Sequence, residues 1–441
     1  MSEHRISAAN TVRRARVGRW YAPGRFGLFY HYGLFTGGGN AESSDRAVPL
    51  TYPTVEAFEA AAPDPRAVAR NMAANAKDCG ARYAILTVCH SCGGQVVLYP
   101  TALPGFLHKT KGDYIGAFLE ECRAAGVMPM LYVPCDCHNW DNALTGPNVS
   151  KDVGESLENY ASLLLALIDE LHDRYGDLPA GFWLDGGVPP TCRGVPARLH
   201  ELWPDAVIVG NSTDLLDNDD IDYGTTECLE EGEKCDPPYD RPSGYRKFSA
   251  WGCTLPRTDF NEDIPAINGW WYHGETEFVP REYIDDRFFL LRQMISSLGQ
   301  RGQWNFAPGI GPRIDGTIQP SLKPAVAAIG EFLSWAGEAI YGTTGPAGTF
   351  VQPGWINTRG SLSYMSVTNR LDDPSVFYAI FTEAPTGNFA MIDTMGREPR
   401  RVTDLRTGAE IPFRMWSGPV FDGDLWGDVS QRGATVFKME F

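Results

Sequence analysis

The sequence lacks any apolar run that approaches about 18 residues, the length that an α-helix needs to cross a bilayer. Its first 20 residues also lack the apolar core of a secretory signal peptide, and they carry Arg13, Arg14, Arg16 and Arg19 instead. No internal repeat or low-complexity tract interrupts the chain. We therefore expect a protein without a membrane partner, located in the cytoplasm.

Positive charge is also scarce, because 38 Lys and Arg residues stand against 55 Asp and Glu residues. The formal net charge is −17 and the pI is near 4.9. An acidic surface repels the phosphate backbone of nucleic acids and anionic membrane surfaces. The composition thus excludes a nucleic-acid partner and favours a neutral or cationic small ligand.

What the chain does contain is a regular alternation of short apolar strands and amphipathic helices, the pattern of a parallel sheet covered by helices. Strands are predicted at residues 25–33, 83–88, 128–133 and 181–184. The intervening helices have predicted starts at Asp64, Asp113 and Ser156, and ends at Gly80, Gly126 and Tyr175. A chain of 441 residues fits one (β/α)8 TIM-like barrel of about 250 residues or more and one small further domain.

The pattern changes after about residue 345, where short alternating strands are separated by Gly, Pro and Asp turns. These apolar-alternating runs are residues 361–368, 376–382 and 434–441. Alternation of this kind is typical of antiparallel sheets. We expect a catalytic (β/α)8 barrel at residues 1–345 and a small C-terminal antiparallel β-sandwich domain at residues 346–441.

Polar side chains follow the predicted strands at the points where they end: His31, Cys89, His90, residues 136–138, Asp185 and Asn211. In a parallel barrel the carboxyl ends of the strands meet at one face, where enzymes of this fold build their active sites. The catalytic residues are therefore expected at these strand ends.

Several of these segments resemble a known family. Residues 25–34 (RFGLFYHYGL) resemble the opening Phe-Gly-hydrophobic-Phe-x-His-Trp-Gly-hydrophobic strand of the α-L-fucosidases, glycoside hydrolase family 29. Residues 80–87 (GARYAILT) are similar to the family's second strand, and residues 183–186 (WLDG) to its nucleophile strand, Trp-Phe-Asp-Gly. Further similarity lies at residues 302–316 and 330–342, in the same order. The combination identifies the chain as a divergent member of this family.

The resemblance implies a retaining exo-glycosidase that cleaves a terminal deoxy- or related sugar by double displacement. Asp185 matches the family's nucleophile, and retention requires the second carboxyl group roughly 5–5.5 Å away. Residues 222–227 (DYGTTE) resemble the family's Asp-Phe/Tyr-x-Thr-Pro-Glu, which makes Glu227 the predicted acid/base. Glu230, Glu231, Glu233 and Glu275 are the other acidic candidates.

The substrate is expected to be a small carbohydrate or glycoside. His31 and His90 match the family's two His-bearing strand ends and could donate hydrogen bonds to sugar hydroxyls. The indole of Trp183 could stack on a sugar face. The remaining predicted substrate-binding residues are Tyr32, Tyr132, Trp140 and Asn211.

The departures from the family pattern concern the sugar contacts. The family's His-His-Asp-Gly is here His90-Ser91-Cys92-Gly93, its Trp after the first His is Tyr32, and its Asn-x-Arg is Asn211-Ser212-Thr213. Its Glu-Trp-Tyr loop has no counterpart in residues 37–52, and its Trp-Glu-x-Cys segment is only weakly matched by residues 251–253. The reaction class is thus better supported than the identity of the sugar.

The cysteines support a competing function. Two groups at neighbouring strand ends, Cys89 with Cys92 and Cys135 with Cys137 and His138, could bind zinc tetrahedrally. A zinc-dependent sugar-modifying enzyme and a non-catalytic carbohydrate-binding barrel are therefore the alternative functions. In a cytosolic chain reduced packing thiols are the favoured interpretation, so no metal and no cofactor are expected. The sequence leaves the number of subunits open, a homo-oligomer included.

Overall fold

The computed structural model describes most of the chain, in these ranges: residues 8–36, 51–90, 96–135, 141–142, 146–147, 149–185, 190–211, 219–225, 260–263, 284–299, 303–346, 349–351, 365–385, 389–427 and 429–441. Within these ranges the helices, numbered α1 to α10 in chain order, are Ala8–Gly24, Val55–Ala61, Pro65–Asp78, Tyr114–Ala125, Lys151–Gly154, Leu157–Tyr175, Gly194–Leu202, Phe289–Leu298, Lys323–Ala336 and Val429–Arg432. None of the helices in the described part of the chain is long and apolar enough to cross a membrane.

Strands β1 to β10 lie in the first three quarters of the chain. They are Gly27–Tyr30, Tyr83–Thr87, Met128–Pro134, Asp141–Asn142, Gly146–Pro147, Gly181–Asp185, Val207–Asn211, Tyr223–Thr225, Phe260–Asp263 and Gln303–Phe306. Strands β11 to β18 follow. They are Thr343–Thr344, Met365–Arg370, Val376–Phe381, Phe389–Met391, Arg401–Asp404, Arg414–Met415, Pro419–Asp422 and Thr435–Glu440.

The helix starts predicted from capping residues are confirmed. The Asp64 side chain accepts hydrogen bonds from the backbone N–H groups of Arg66 and Ala67, and Pro65 opens the helix behind it. Asp113 accepts from the N–H of Gly116, and Ser156 accepts from the N–H of Asn159. Each cap satisfies N–H groups that have no acceptor within the first turn, so short-range chemistry determines where α3, α4 and α6 begin.

Eight of the described strands form a parallel sheet in the order β1-β2-β3-β6-β7-β8-β9-β10. Isolated parallel bridges also join Phe26 to Phe306 and Phe29 to Gly309, so the first strand lies beside the last. The backbone hydrogen bond from Ile310 N to Phe29 O, 2.8 Å long, supports that contact. The predicted parallel sheet with helices between its strands is therefore observed.

The two faces of this sheet pack into separate apolar clusters. One face contributes Phe29, Ile85, Met130 and Trp183 to an inner cluster. The other face packs against the helices, as successive strand residues point to opposite sides. Position 27, on the inner face of β1, requires glycine, because a Cβ atom there would lie 2.3 Å from the Tyr83 ring.

Helix α1 was not predicted from the sequence. The helix contains few regularly spaced apolar residues. It is anchored by Val17 and Tyr21, which lie one helical turn apart and are buried in the inner cluster. The Tyr21 ring lies 5.2 Å from Tyr83 and 4.9 Å from Tyr223, measured between ring centroids. Tyr83 is the first residue of β2, and Tyr223 is the first residue of β8. Helix α1 therefore covers the amino-terminal ends of the sheet, opposite the strand ends that carry Asp185.

The C-terminal part contains a five-stranded antiparallel sheet, β11-β12-β13-β18-β15, and a three-stranded one, β14-β17-β16. Their shared core includes Phe381, Phe421, Trp426 and Phe437. The prediction of antiparallel strands in this region is confirmed, since two predicted runs contain β13 and β18 and the run at residues 361–368 overlaps β12.

Candidate active site

Asp185 is the last residue of β6, and both of its carboxylate oxygens accept hydrogen bonds from neighbouring strands. The Tyr132 hydroxyl on β3 donates to Oδ2 at 2.5 Å. The Asn211 amide on β7 donates from Nδ2 to Oδ1 at 2.8 Å. Strands β3 and β7 flank β6, so the carboxylate is held from both sides in one orientation.

An aromatic wall lies beside this carboxylate. Tyr132 and Trp183 are direct partners in the register of β3 and β6, and their rings stack 5.5 Å apart at an angle of 20°. The His90 ring stacks on the other side of Tyr132, at 5.3 Å and 26°. Three rings thus form one continuous stack beside the carboxylate.

His31 closes the wall from the first strand. Its ring lies 4.9 Å from His90 and 4.5 Å from Phe29. Burial, with a further contribution from His90, holds the pKa of His31 well below its ordinary value. His31 is therefore a neutral imidazole, which can donate one hydrogen bond and accept another.

The structure does not bring Tyr32 into this group. The Tyr32 ring packs against Phe58 and Tyr114, at 5.2 Å and 5.9 Å, in the cluster on the helix side of the sheet. Its hydroxyl donates to the Ile314 carbonyl at 2.5 Å. The alternation of strand side chains explains this placement, since His31 points inward and its neighbour points outward.

Phe29 is a residue of this site that the sequence analysis did not single out. Its ring centroid lies 5.0 Å from that of Trp183 and 4.5 Å from that of His31, so Phe29 packs against both rings. The sequence could have indicated this role for Phe29, because Phe29 and His31 are two positions apart and two-residue spacing puts both side chains on one face of a strand.

The predicted acid/base, Glu227, lies outside the described residues, as do Trp140, Glu230, Glu231, Glu233 and Glu275. The chain that leads to Glu227 is described as far as Thr225, the last residue of β8. Thr225 pairs with Asn211 in the sheet, and Asn211 contacts Asp185. The described part of β8 therefore ends at the same edge of the sheet as Asp185, two residues before Glu227 in the sequence.

Asp222, the first residue of the motif that ends in Glu227, has a different environment. It is fully buried and accepts hydrogen bonds from Arg13 Nε and from the backbone N–H of Ile208, both at 2.8 Å. Burial raises the pKa of Asp222 to about 6, although the Arg13 guanidinium opposes the shift. These contacts tie helix α1 to the sheet and assign Asp222 to the support of the fold.

The described cysteines are buried thiols. Burial raises the pKa of Cys89 to about 12, and the Cys192 thiol donates to the carbonyl of Cys135 at 3.5 Å. Among the described residues no group of three or more His, Cys, Asp or Glu side chains could hold a metal ion. Cys92, Cys137 and His138, the other members of the predicted zinc groups, lie outside those residues.

A fixed carboxylate beside aromatic rings, at the carboxyl ends of parallel strands, has the position of the active site in an enzyme of the parallel α/β class. The sequence profile of the family described as alpha-L-fucosidase matches residues 2–338. The chain belongs to this family of glycoside hydrolases.

Solved structures with the same fold share little sequence with it. Alpha-L-fucosidase isoenzyme 1 from Paenibacillus thiaminolyticus is 17% identical, with a TM-score of 0.69 over 97% of this chain and 99% of that one. Thermotoga maritima alpha-fucosidase in complex with fucose is 19% identical, with a TM-score of 0.65 over 95% and 96%. A trapped covalent intermediate of a Bacteroides thetaiotaomicron alpha-L-fucosidase, formed with 2-fluoro-fucosyl fluoride, is 18% identical, with a TM-score of 0.65 over 98% and 96%. A search of curated protein sequences found no significant match.

Proposed function

We propose that the protein is a retaining exo-glycosidase of the α-L-fucosidase type, with Asp185 as its nucleophile. The observation that supports the proposal most is the pair of hydrogen bonds that Asp185 accepts, one from Tyr132 on one flanking strand and one from Asn211 on the other. A nucleophile must point at the anomeric carbon when it attacks. Two hydrogen-bond donors on rigid strands hold the Asp185 carboxylate in one orientation before the reaction, so it loses less conformational freedom on reaching the transition state.

In the proposed first step Asp185 attacks the anomeric carbon. The bond from that carbon to the leaving oxygen breaks as the bond to the Asp185 carboxylate forms, and Glu227 gives its proton to the leaving oxygen. In the second step Glu227 takes a proton from water, which attacks the same carbon and releases Asp185. Configuration is retained because each step inverts it.

The proposed substrate is a small glycoside with a terminal L-fucose or related deoxy sugar. Support comes from the bound fucose in the Thermotoga maritima structure and the fucosyl intermediate in the Bacteroides thetaiotaomicron structure. In this chain the Tyr132 and Trp183 rings would contact the apolar side of the sugar. The neutral His31 and its neighbour His90 would hydrogen-bond to its hydroxyl groups.

The architecture that we propose around this site is a closed (β/α)8 barrel at residues 1–345 and a β-sandwich at residues 346–441. Its support is the pair of bridges between the first and last strands and the two antiparallel sheets that follow. A cytoplasmic location remains the prediction made from the sequence, and the buried thiols agree with a reducing compartment.

The proposal is tested by a panel of nitrophenyl glycosides that includes the α-L-fucoside, with metal analysis of the same protein preparation. We expect turnover of the α-L-fucoside or of a related deoxy sugar, and Asp185→Asn should abolish it while the melting temperature stays close to that of the wild type. Saturable sugar binding without turnover would replace the proposal with a carbohydrate-binding function. Stoichiometric zinc, lost together with activity on chelation, would replace it with the metal-dependent function.

A further inference from the structure

Tyr160 lies near the start of helix α6, on the helix side of the sheet. It shares one face of the helix with Leu163, Leu164 and Leu167, and all four side chains are buried in the same apolar cluster. Tyrosine differs from these neighbours by its hydroxyl group, which needs a hydrogen-bond partner when it is buried. The Tyr160 hydroxyl donates to the backbone carbonyl of Pro134, the last residue of β3, at 3.0 Å. The helix thus contacts β3 at the end where the candidate site lies.

The Pro134 carbonyl belongs to the same peptide unit as the N–H group of Cys135. That N–H group donates to the backbone carbonyl of Asp185, at 2.9 Å. A trans peptide unit is planar and rigid, and its C=O and N–H groups point in opposite directions. A hydrogen bond to the carbonyl on one side therefore helps to fix the direction of the N–H group on the other side. Tyr160 is connected to the backbone of Asp185 through a single rigid group.

The end of β3 holds Asp185 in two ways. The Tyr132 hydroxyl donates to the carboxylate at 2.5 Å, and Cys135 donates to the backbone carbonyl of the same residue. Pro134 lies between these two donors in the sequence and is the register partner of Asp185. A shift of the end of β3 would therefore move both donors together and change the direction of the carboxylate.

We propose that Tyr160 is a positioning residue for the nucleophile, a role that rests on the function proposed above for Asp185. Its hydroxyl acts through the Pro134–Cys135 peptide unit, which orients the backbone of Asp185 and so the carboxylate. Small errors in the position of a reacting group lower the rate of a reaction strongly. Binding of the sugar before the reaction does not require that the carboxylate point at the anomeric carbon. Loss of the hydroxyl should therefore slow the first chemical step and leave the affinity for the sugar unchanged.

Two variants separate this role from a purely structural one. Tyr160→Phe removes the hydroxyl and keeps the buried ring. Tyr30→Phe is the matched control, because the Tyr30 hydroxyl is also buried and donates to a backbone carbonyl, that of Met72 in α3, at the same 3.0 Å. Each variant loses one buried hydrogen bond of the same kind, so the two should lose similar thermal stability. The Tyr160→Phe change alone affects the peptide unit that is bonded to Asp185.

The first measurement is the rate at which 2-fluoro-fucosyl fluoride forms an ester on Asp185, followed by mass spectrometry of the intact chain. At saturating reagent we expect the rate constant of Tyr160→Phe to be about threefold to tenfold below that of the wild type, the effect of one neutral hydrogen bond. The reagent concentration that gives half the maximal rate should stay within about twofold of the wild-type value, since sugar binding is retained. Tyr30→Phe should match the wild type in both quantities.

The second measurement observes the peptide unit itself. Pro134-Cys135 is the only Pro-Cys pair in the sequence, so a full chain with ¹³C at its proline carbonyls and ¹⁵N at its cysteine amides gives one carbonyl–amide resonance. Tyr160→Phe should shift this resonance and speed the exchange of the Cys135 amide hydrogen with solvent, because the peptide unit is held less firmly. Tyr30→Phe should leave the resonance and the exchange rate unchanged.

The role of Tyr160 is overturned if the wild type forms the ester on Asp185 and the two variants form it at equal rates. It is also overturned if Tyr160→Phe leaves the Pro134–Cys135 resonance unchanged, or if it lowers the affinity for the reagent and not the rate. A wild-type chain that forms no ester on Asp185 would instead contradict the proposed function, and the positioning role with it.

Discussion

The hydroxyl of Tyr132 donates a hydrogen bond to Oδ2 of Asp185 across adjacent strands, at 2.5 Å. The same ring stacks on Trp183 and on His90. Tyr132 therefore does two things at once, since it orients the proposed nucleophile and forms the centre of the aromatic wall. Its two contributions can be separated by mutation.

Tyr132→Phe keeps the stacked ring and removes the hydroxyl. We expect kcat/KM for an aryl α-L-fucoside to fall by about tenfold to a hundredfold, the value of about 1.5–3 kcal/mol that a hydrogen bond to a charged group contributes. Tyr32→Phe is the matched control, because the Tyr32 hydroxyl donates to the Ile314 carbonyl on the other face of the sheet. Equal losses in the two variants would contradict the role assigned to Tyr132.

Glu227→Ala tests the proposed acid/base through the leaving group. Cleavage of a poor leaving group should slow by about 10² to 10⁴, whereas an activated aryl fucoside should be much less affected, because only the former needs a proton in the transition state. Azide should restore turnover of the activated substrate by attacking the glycosyl-Asp185 intermediate. A uniform loss without rescue by azide would move the search to Glu230, Glu231, Glu233 and Glu275.

The Asp222 cluster predicts a dependence of stability on pH. His200 Nε2 lies 3.4 Å from Asp222 Oδ2, and burial, with the charge of Arg13, lowers the pKa of His200 to about 3. A lowered histidine pKa means that the folded state binds fewer protons than the unfolded state between about pH 3 and 6.5, so this contribution to stability grows as pH rises. The raised pKa of Asp222 has the opposite sign, and its contribution falls as pH rises from about 4 to 6.

His200→Gln should therefore leave the Asp222 contribution unopposed. Denaturant unfolding at pH 4 and pH 6 should show that the gain in unfolding free energy on raising the pH is smaller in the variant than in the wild type, by about 1–2 kcal/mol. The same pH dependence in both proteins would show that His200 does not titrate as this cluster requires.

Gly27 and Gly194 give a paired test of the inner packing. Gly27→Ala would place a Cβ atom 2.3 Å from the Tyr83 ring, whereas the position of a Cβ atom at Gly194 has nothing within 4 Å. We expect Gly27→Ala to lower the free energy of unfolding by about 1–3 kcal/mol through overpacking. Gly194→Ala should be neutral or slightly stabilising. Equal effects on thermal unfolding would argue against the close contact of β1 with Tyr83.

The parts of the fold that were predicted correctly depend on short-range chemistry. Asp64 and Asp113 cap their helices with the N–H groups two or three residues away, so a local pattern is enough to locate them. Helix α1 was missed because its anchoring residues, Val17 and Tyr21, are too few to make a pattern. Both side chains are buried against strand residues that are distant in the sequence.

In the candidate site, Asp185, His31 and His90 remain predictions, made from strand ends and motifs that are visible in a sequence. The hydrogen bonds that Asp185 accepts from Tyr132 and Asn211 join residues 53 and 26 positions apart, and they depend on the register of three strands. Tyr32 was grouped with the sugar-binding residues because of its place in the motif, whereas strand alternation puts its ring on the other face.

The central claim is that Asp185 forms the covalent bond to the sugar, and the most direct measurement is mass spectrometry of the protein after reaction with 2-fluoro-fucosyl fluoride. The fluorine slows the second step, so the intermediate accumulates as an ester. We expect one added fluorofucosyl group on the intact wild-type chain, on the proteolytic peptide that contains Asp185, and none on Asp185→Asn. An adduct on a different peptide, or an unmodified enzyme that turns the reagent over, would contradict the account.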